Sequence, residues 1–447
     1  MGAWEIEDGS RKLRVLNGPE FQKELDLIVW KSVFGPEEQR LFWRRLIIEA
    51  ARQRGAAPAS IAGLYQARGR GEVSGFTVPA INIRGLTYEA AQAVFRAAQK
   101  LSAGAFVFEL ARSEIGYTAQ RPSEYAACIL AAALRVGWKG PVFIQGDHYQ
   151  VSPKKYKENS GEEVGAIKRL IDESLDWDYG QIDIDASTIV DLARTGVLDQ
   201  QKDNASITAE LAGYARRHPC GGDVSLGGEI GEVGKTNSTP EELRAFMKLC
   251  LKNCGQKNEL AKVSVNTGTS HGGVVLPDGG LAKVAISFET LAALSRVAKE
   301  EFGLAGAVQH GASTLPEEMF DQFPKAETAE IHLATGFQNI MYDLIGEDFR
   351  REFYARIEKE FAPERNPADS PSQFIYKTRK KGFGMMKKEW WSLDSAAKKK
   401  IVDAFEEKAA LIFKKLKIAN TLEMVKRHVR ADSTAKPMPS GGAKVPG

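Results

Sequence analysis

Apolar residues recur at helical spacing through the first 75 positions. Over 21–33 and 36–52 they gather on one face, with Leu41, Trp43, Leu46 and Ile47 among them. A small-residue stretch at 55–60 (GAAPAS) reads as a linker or cap, and 61–68 resumes a helix. The pattern changes at Phe76. Short continuous apolar runs at 76–83, 105–110, 141–145, 181–185, 224–229, 261–266, 305–309 and 329–333 read as buried parallel strands. The stretches 88–101, 122–136, 162–175, 206–217, 240–254, 288–302 and 316–323 between them read as helices. Several open on good caps: Thr87, Ser206, and the run Ser238-Thr239-Pro240-Glu241-Glu242. Eight strands alternating with helices over about 270 residues predict an α/β chain folded as a (β/α)8 barrel. An open doubly wound sheet is the alternative.

Past Leu344 the strand signal stops, and helical patterns return at 349–361 and 395–418. Between them, 374–391 is basic and aromatic, with Lys377, Arg379, Lys380, Lys381, Lys387, Lys388, Trp390 and Trp391. A solvated face that packs its aromatics on the barrel or on a partner is favoured there over a nucleic-acid or phosphate surface. The expected organisation is a helical lead-in over 1–60, the barrel over 61–345, a helical extension over 346–430 and a disordered tail over 431–447.

The 447 residues, 27% charged and 43% hydrophobic, are ordinary for a globular chain. A net charge of +3 gives no argument for nucleic acid. No apolar run approaches the roughly 20 residues that span a bilayer, and MGAWEIEDGSRK lacks a secretory core. Four cysteines are too few for a disulfide framework, so the cytoplasm is the expected compartment.

The predicted strands end on reactive residues. The third gives Asp147 and His148, and the fourth gives Asp185 in IDIDAST. The fifth gives Glu229 in LGGEIGEVG, the sixth His271 in NTGTSHGG, the seventh His310 in VQHGAST and the eighth His332 in IHLATG. Four of the six histidines therefore stand at strand ends. In a barrel those ends ring one mouth, so imidazoles and carboxylates far apart in sequence converge, a donor set suited to Zn²⁺ or a similar divalent ion. Gly272 and Gly273 follow His271, and Gly311, Ala312 and Ser313 follow His310. Small residues there let backbone N–H groups approach an anion; tight βα turns are the simpler explanation of the same glycines.

In order along the chain, VPAINIRGLTYEAAQAVFRAA, GDH, IDIDAS, GGEIGEVG, GTSHGG and HGAST resemble the class II, metal-dependent fructose-bisphosphate aldolases from about Ile61 to Asp343. The resemblance implies a homodimer or higher homo-oligomer that cleaves a phosphorylated ketose. It also implies a catalytic Zn²⁺, with room for a second divalent ion and for a monovalent cation. By position, His148, His271 and His310 resemble the ligands of the catalytic metal. Asp147 resembles the acid/base at the C4 hydroxyl, and Asp185 and Glu229 the carboxylates of a second or displaced metal. Gly272, Gly311 and Ser313 resemble the phosphate cradle.

The departures are equally specific. Where the family has Asn-x-Asp-Thr after the eighth strand, this chain has His332-Leu333-Ala334-Thr335. The first Glu of its Glu-x-Glu is Gly227, the loop after the fifth strand reads GKTNSTP, and Val274 and Val275 follow Gly273 where a Lys is usual nearby. The expectation is a metal aldolase with rebuilt substrate contacts. Arg84 is a candidate anion contact, and His332 either binds substrate or stays structural. The alternatives are a non-catalytic assembly subunit of the same fold and a metal-dependent sugar-phosphate isomerase or epimerase.

Overall fold

The computed structural model describes residues 3–7, 10–230, 236–268, 286–432 and 434–439. Eight buried strands form its centre: β1 (Val78–Asn82), β2 (Val107–Ala111), β3 (Ile144–Gln150), β4 (Gln181–Asp185), β5 (Ser225–Glu229), β6 (Lys262–Val265), β7 (Ala307–Gln309) and β8 (Glu330–Leu333). Each pairs in parallel with its sequence neighbour, and β8 pairs with β1 through Glu330↔Val78 to Leu333↔Ile81. The sheet is thus a closed barrel, which removes the doubly wound alternative. The side chains on these strands are nearly all buried, so several strands read as continuous apolar runs, and where a strand alternates, as β4 (QIDID) and β8 (EIHL) do, its polar residues are buried as well.

Helices α1 (Gly18–Phe34) and α2 (Glu37–Gln53) lead in, and α2 packs against the barrel helix α4. The barrel helices are α3 (Thr87–Leu101), α4 (Pro122–Val136), α5 (Ser160–Asp176), α6 (Val197–Arg217), α7 (Pro240–Asn253), α8 (Phe288–Phe302) and α9 (Thr335–Leu344). Beyond them lie α10 (Glu347–Glu360) and α11 (Ser395–Lys415), and α11 packs on α3. No helix among the described residues is long and apolar enough to cross a membrane.

Some local expectations differ from the structure for identifiable reasons. Ala56–Pro58, read as linker, pairs in parallel with Gly140–Val142, because a short apolar segment can take its hydrogen bonds from a neighbouring strand. The expected third strand therefore splits: its first part serves that small sheet, and the barrel strand begins at Ile144 and runs on through Gly146 to Gln150. Helix α6 starts nine residues before the expected Ser206, since Asn204 and Ala205 are already buried against the barrel. Residues 316–323 hold a short 3-10 turn at Glu317–Met319 and the start of a four-residue helix, Gln322–Lys325.

The basic, aromatic stretch 374–391 turns its rings inward. Phe383 and Trp390 are 5.1 Å apart, centroid to centroid, and Tyr342 lies 5.1 Å from Phe383. The Phe383 ring rests on Gly85, where an added Cβ would come within 2.4 Å of it. Arg379 is held between Tyr342 and Tyr376, 4.5 Å from each.

The end of the chain closes the lower, N-terminal mouth of the barrel. Leu416 O accepts from Thr77 N, and Thr421 Oγ1 accepts from Gly104 N and Ala105 N, all just ahead of β1 and β2. The tail beyond Arg430, expected to be disordered, is docked at several of its described residues. Ala431 bridges to Ala59, Lys436 Nζ lies 2.7 Å from Asp178, and Met438 is buried. Burial alone would raise the Asp178 carboxyl, but Arg52, Lys436 and Arg45 hold it below its ordinary value.

Candidate metal centre at the barrel mouth

The site begins with an irregularity in β3. Gly146 pairs with Ile182 and Tyr149 with Ile184, so β3 carries one extra residue there, a bulge. His148 takes it up with φ +42, a conformation uncommon for a residue with a side chain. Gly146 is required as well: a Cβ there would stand 2.4 Å from the Tyr149 ring. Bulges re-aim side chains beside active sites, and here Asp147 and His148, adjacent in sequence, both line one cavity of about 510 Å³ at the mouth.

His148, Glu229 and His310, from the ends of β3, β5 and β7, each offer a ligand atom within 4.8 Å of the others. His148 Nδ1 lies 3.1 Å from both Asp185 Oδ2 and Glu229 Oε2, and His310 Nε2 lies 4.0 Å from Glu229. Burial disfavours the imidazolium of His148, yet Asp147, Glu229 and the bond to Asp185 hold its pKa well above the ordinary value. Two imidazoles and a carboxylate gathered this closely fit a divalent cation, which takes the place of the proton when it binds. His310 also belongs to a second such group with Asp147 and His332, and Glu109, Glu330 and His332 make a third.

Asp185 belongs to none of these groups. Its Oδ1 accepts from Ser187 N and Oγ, and its Oδ2 accepts from Gln150 Nε2 at 2.6 Å and faces His148. Asp185 thus shares the Nδ1 edge of His148 with Glu229. Gly311, at φ +69, and Ser313 line the cavity at the turn after β7. His271 and Gly272 lie outside the described residues.

His332 is buried beneath the mouth. Its ring lies 4.0 Å from that of His310, tilted by 38°, and the His310 ring in turn lies 4.2 Å from that of His148. Its Nδ1 is 2.8 Å from Glu109 and 3.2 Å from Asp147, and its Nε2 is 2.8 Å from Glu330. Below it runs a buried ionic layer. Lys262 Nζ is 2.9 Å from Asp183 and 2.5 Å from Glu330, and donates to Gln145 at 2.7 Å. Burial pushes Glu109 up to about 8 and Asp183 up to about 6, against the pull of His332 and Lys262 respectively. The layer also accounts for Gly227. A Cβ there would come 2.3 Å from Asp183 Oδ1, so the space of the missing glutamate is filled by Asp183. Gly227→Ala is expected to lower stability by about 1–3 kcal/mol in thermal or urea unfolding, as overpacking of a tight core does; an unchanged midpoint would mean that Asp183 moves aside freely.

Arg84 lines the cavity, but its charge is already matched. Its Nε donates to Glu114 at 2.8 Å and its Nη1 to Gln338 at 2.6 Å. Arg112 is likewise paired with Glu163 at 2.6 Å. The sequence reading missed Glu109, Asp183, Lys262 and Glu330. The signal for them was a charged residue inside an otherwise apolar buried strand, which must find a partner. No sequence signal pointed to Tyr117 or Lys155, which also line the cavity; Lys380, which lines it too, was named in the basic stretch 374–391, where a solvated face was favoured over a phosphate surface.

Comparison with known proteins adds three findings. The family described as fructose-bisphosphate aldolase class-II matches residues 69–411. No curated protein matches the chain in sequence. Among solved structures, the fructose-bisphosphate aldolase of Campylobacter jejuni is 16% identical with a TM-score of 0.50, covering 82% of this chain and 97% of its own. A protein from Sinorhizobium meliloti described as a probable tagatose 6 phosphate kinase is 15% identical with a TM-score of 0.50, covering 81% and 95%. At such identities the two structures speak for the fold alone.

Proposed function

The chain belongs to the class II fructose-bisphosphate aldolase family, and on that premise we propose that it is a zinc-dependent aldolase making or breaking a C–C bond in a phosphorylated ketose. One observation carries the reading: His148 and His310 line the same cavity as Asp147, and Glu229 offers a third ligand atom within 4.8 Å of theirs. Those three residues, with His271 from the sequence that follows β6, would hold the ion, and Asp185 would fix the orientation of His148. A divalent ion held there supplies a Lewis acid for the ketone end of the substrate.

The protein's own part is proton transfer and positioning. In the cleavage direction Asp147 accepts the proton from the hydroxyl on the carbon to be released. That carbon becomes an aldehyde as the C–C bond breaks, and the electron pair stays on the ketone half, where it is protonated to give the second product. Gly311 and Ser313 offer the anion contact at the turn after β7. His332, in place of the family's asparagine, has carboxylates at both ring nitrogens. Its role is therefore read as fixing Asp147 and the floor of the site, with any substrate contact made through its ring edge.

The test is a panel of phosphorylated ketoses assayed for released triose phosphate, with and without chelator. Chelator-sensitive triose release from at least one member is expected. Isomerisation without C–C cleavage, or no turnover by zinc-loaded protein on any member, would remove the proposal.

A further inference from the structure

Charge on the cavity wall is unevenly matched. Around the ends of β1 and β2, the Glu114 carboxylate takes Arg84 at Oε1, and Asn82 Nδ2 and Ala111 N at Oε2, so it is fully used. The remaining cation on that wall is Lys380, which comes from the C-terminal extension and not from the barrel. Among the described residues its ammonium makes no hydrogen bond or ion pair; it stands 5.6 Å over the ring of Tyr117. It is half-buried, and burial together with nearby Arg84 and Lys381 lowers its pKa, with Glu114 opposing. A half-buried ammonium crowded by two other cations lacks an anion.

The placement of Lys380 is fixed from both sides. Arg379 before it is clamped between two tyrosine rings. After it, Phe383 sits on Gly85, Gly384 packs so closely on Tyr117 that an added Cβ would come 2.4 Å from its carbonyl oxygen, and Lys387 donates to Ala119 O at 2.6 Å. In an eight-stranded barrel the β1 end lies across the mouth from the β5 end, where Glu229 stands.

We propose that Lys380 is a specificity-determining residue: the extension brings it to the cavity to receive a terminal anionic group of the substrate, phosphate or carboxylate, on the side of the mouth across from Glu229. This rests on the aldolase reading for the identity of the substrate, but its binding chemistry is tested without turnover. Three probes are titrated calorimetrically into zinc-loaded full-length protein: a hexitol 1,6-bisphosphate, 6-phosphogluconate and a hexitol 1-phosphate. At least one of the two doubly charged-ended probes is expected to bind about tenfold tighter than the monophosphate, the size of one charge-assisted contact, and which one does so distinguishes phosphate from carboxylate. K380Q is expected to erase that gap, K380R to keep it, and both to retain the wild-type zinc content and melting temperature. A gap that survives in K380Q, or no gap in the wild type, overturns the proposal. If the gap and its loss in K380Q are seen in protein that cleaves no ketose phosphate, the aldolase reading fails and this one stands.

Discussion

Asp147→Ala is expected to lower kcat by about 10³-fold while the bound zinc stays at the wild-type level. General acid–base groups contribute on that scale, and this variant removes the only carboxylate proposed to take the substrate proton. The metal group His148, Glu229 and His310 does not include Asp147, so its donors remain. The measurement pairs steady-state kinetics with metal analysis of the purified variant. Loss of zinc together with activity would instead assign the ion to the neighbouring group of Asp147, His310 and His332, and the proton-transfer role would pass to another residue.

Lys262→Met should be the most destabilising single change, by about 3–5 kcal/mol in urea unfolding. Lys262 is the cation between buried Asp183 and Glu330, and removing one partner of a buried ion pair leaves uncompensated charge. Adding Glu330→Gln should restore a substantial part of the loss, because one stranded carboxylate disappears with it. A cost below about 1 kcal/mol for the single variant would mean that the two acids are already neutral in the native protein.

The barrel was legible because every strand is covered on both sides. Runs such as 105–110 (AFVFEL) are almost wholly apolar, whereas 181–185 and 329–333 alternate and bury their polar residues as well; the cap at Thr239 marks where its helix begins, while Thr87 is the first residue of α3 and caps nothing. The chemistry at strand ends was legible for a related reason: a Gly or a polar residue interrupts an apolar run where the strand reaches the mouth. The bulge at His148 was not. It depends on the register of β3 against β4, a pairing between segments more than thirty residues apart. The match between Arg84 and Glu114 was hidden for the same reason, and so Arg84 looked like a free cation. Lys380 lay in a stretch whose composition suggested solvent, and the packing of its neighbours, Arg379 between two tyrosines and Phe383 on Gly85, brings it to the cavity.

The seal across the lower mouth has a bearing on biosynthesis. Thr77, Gly104 and Ala105 present backbone N–H groups whose acceptors, Leu416 O and Thr421 Oγ1, are translated after all eight strands. A nascent chain on the ribosome can therefore assemble the cylinder yet leave those donors facing water until its closing stretch is released. Truncation before residue 416 would leave the same vulnerability permanently, and such fragments should be cleaved by proteases ahead of β1 and β2 while the full-length protein resists.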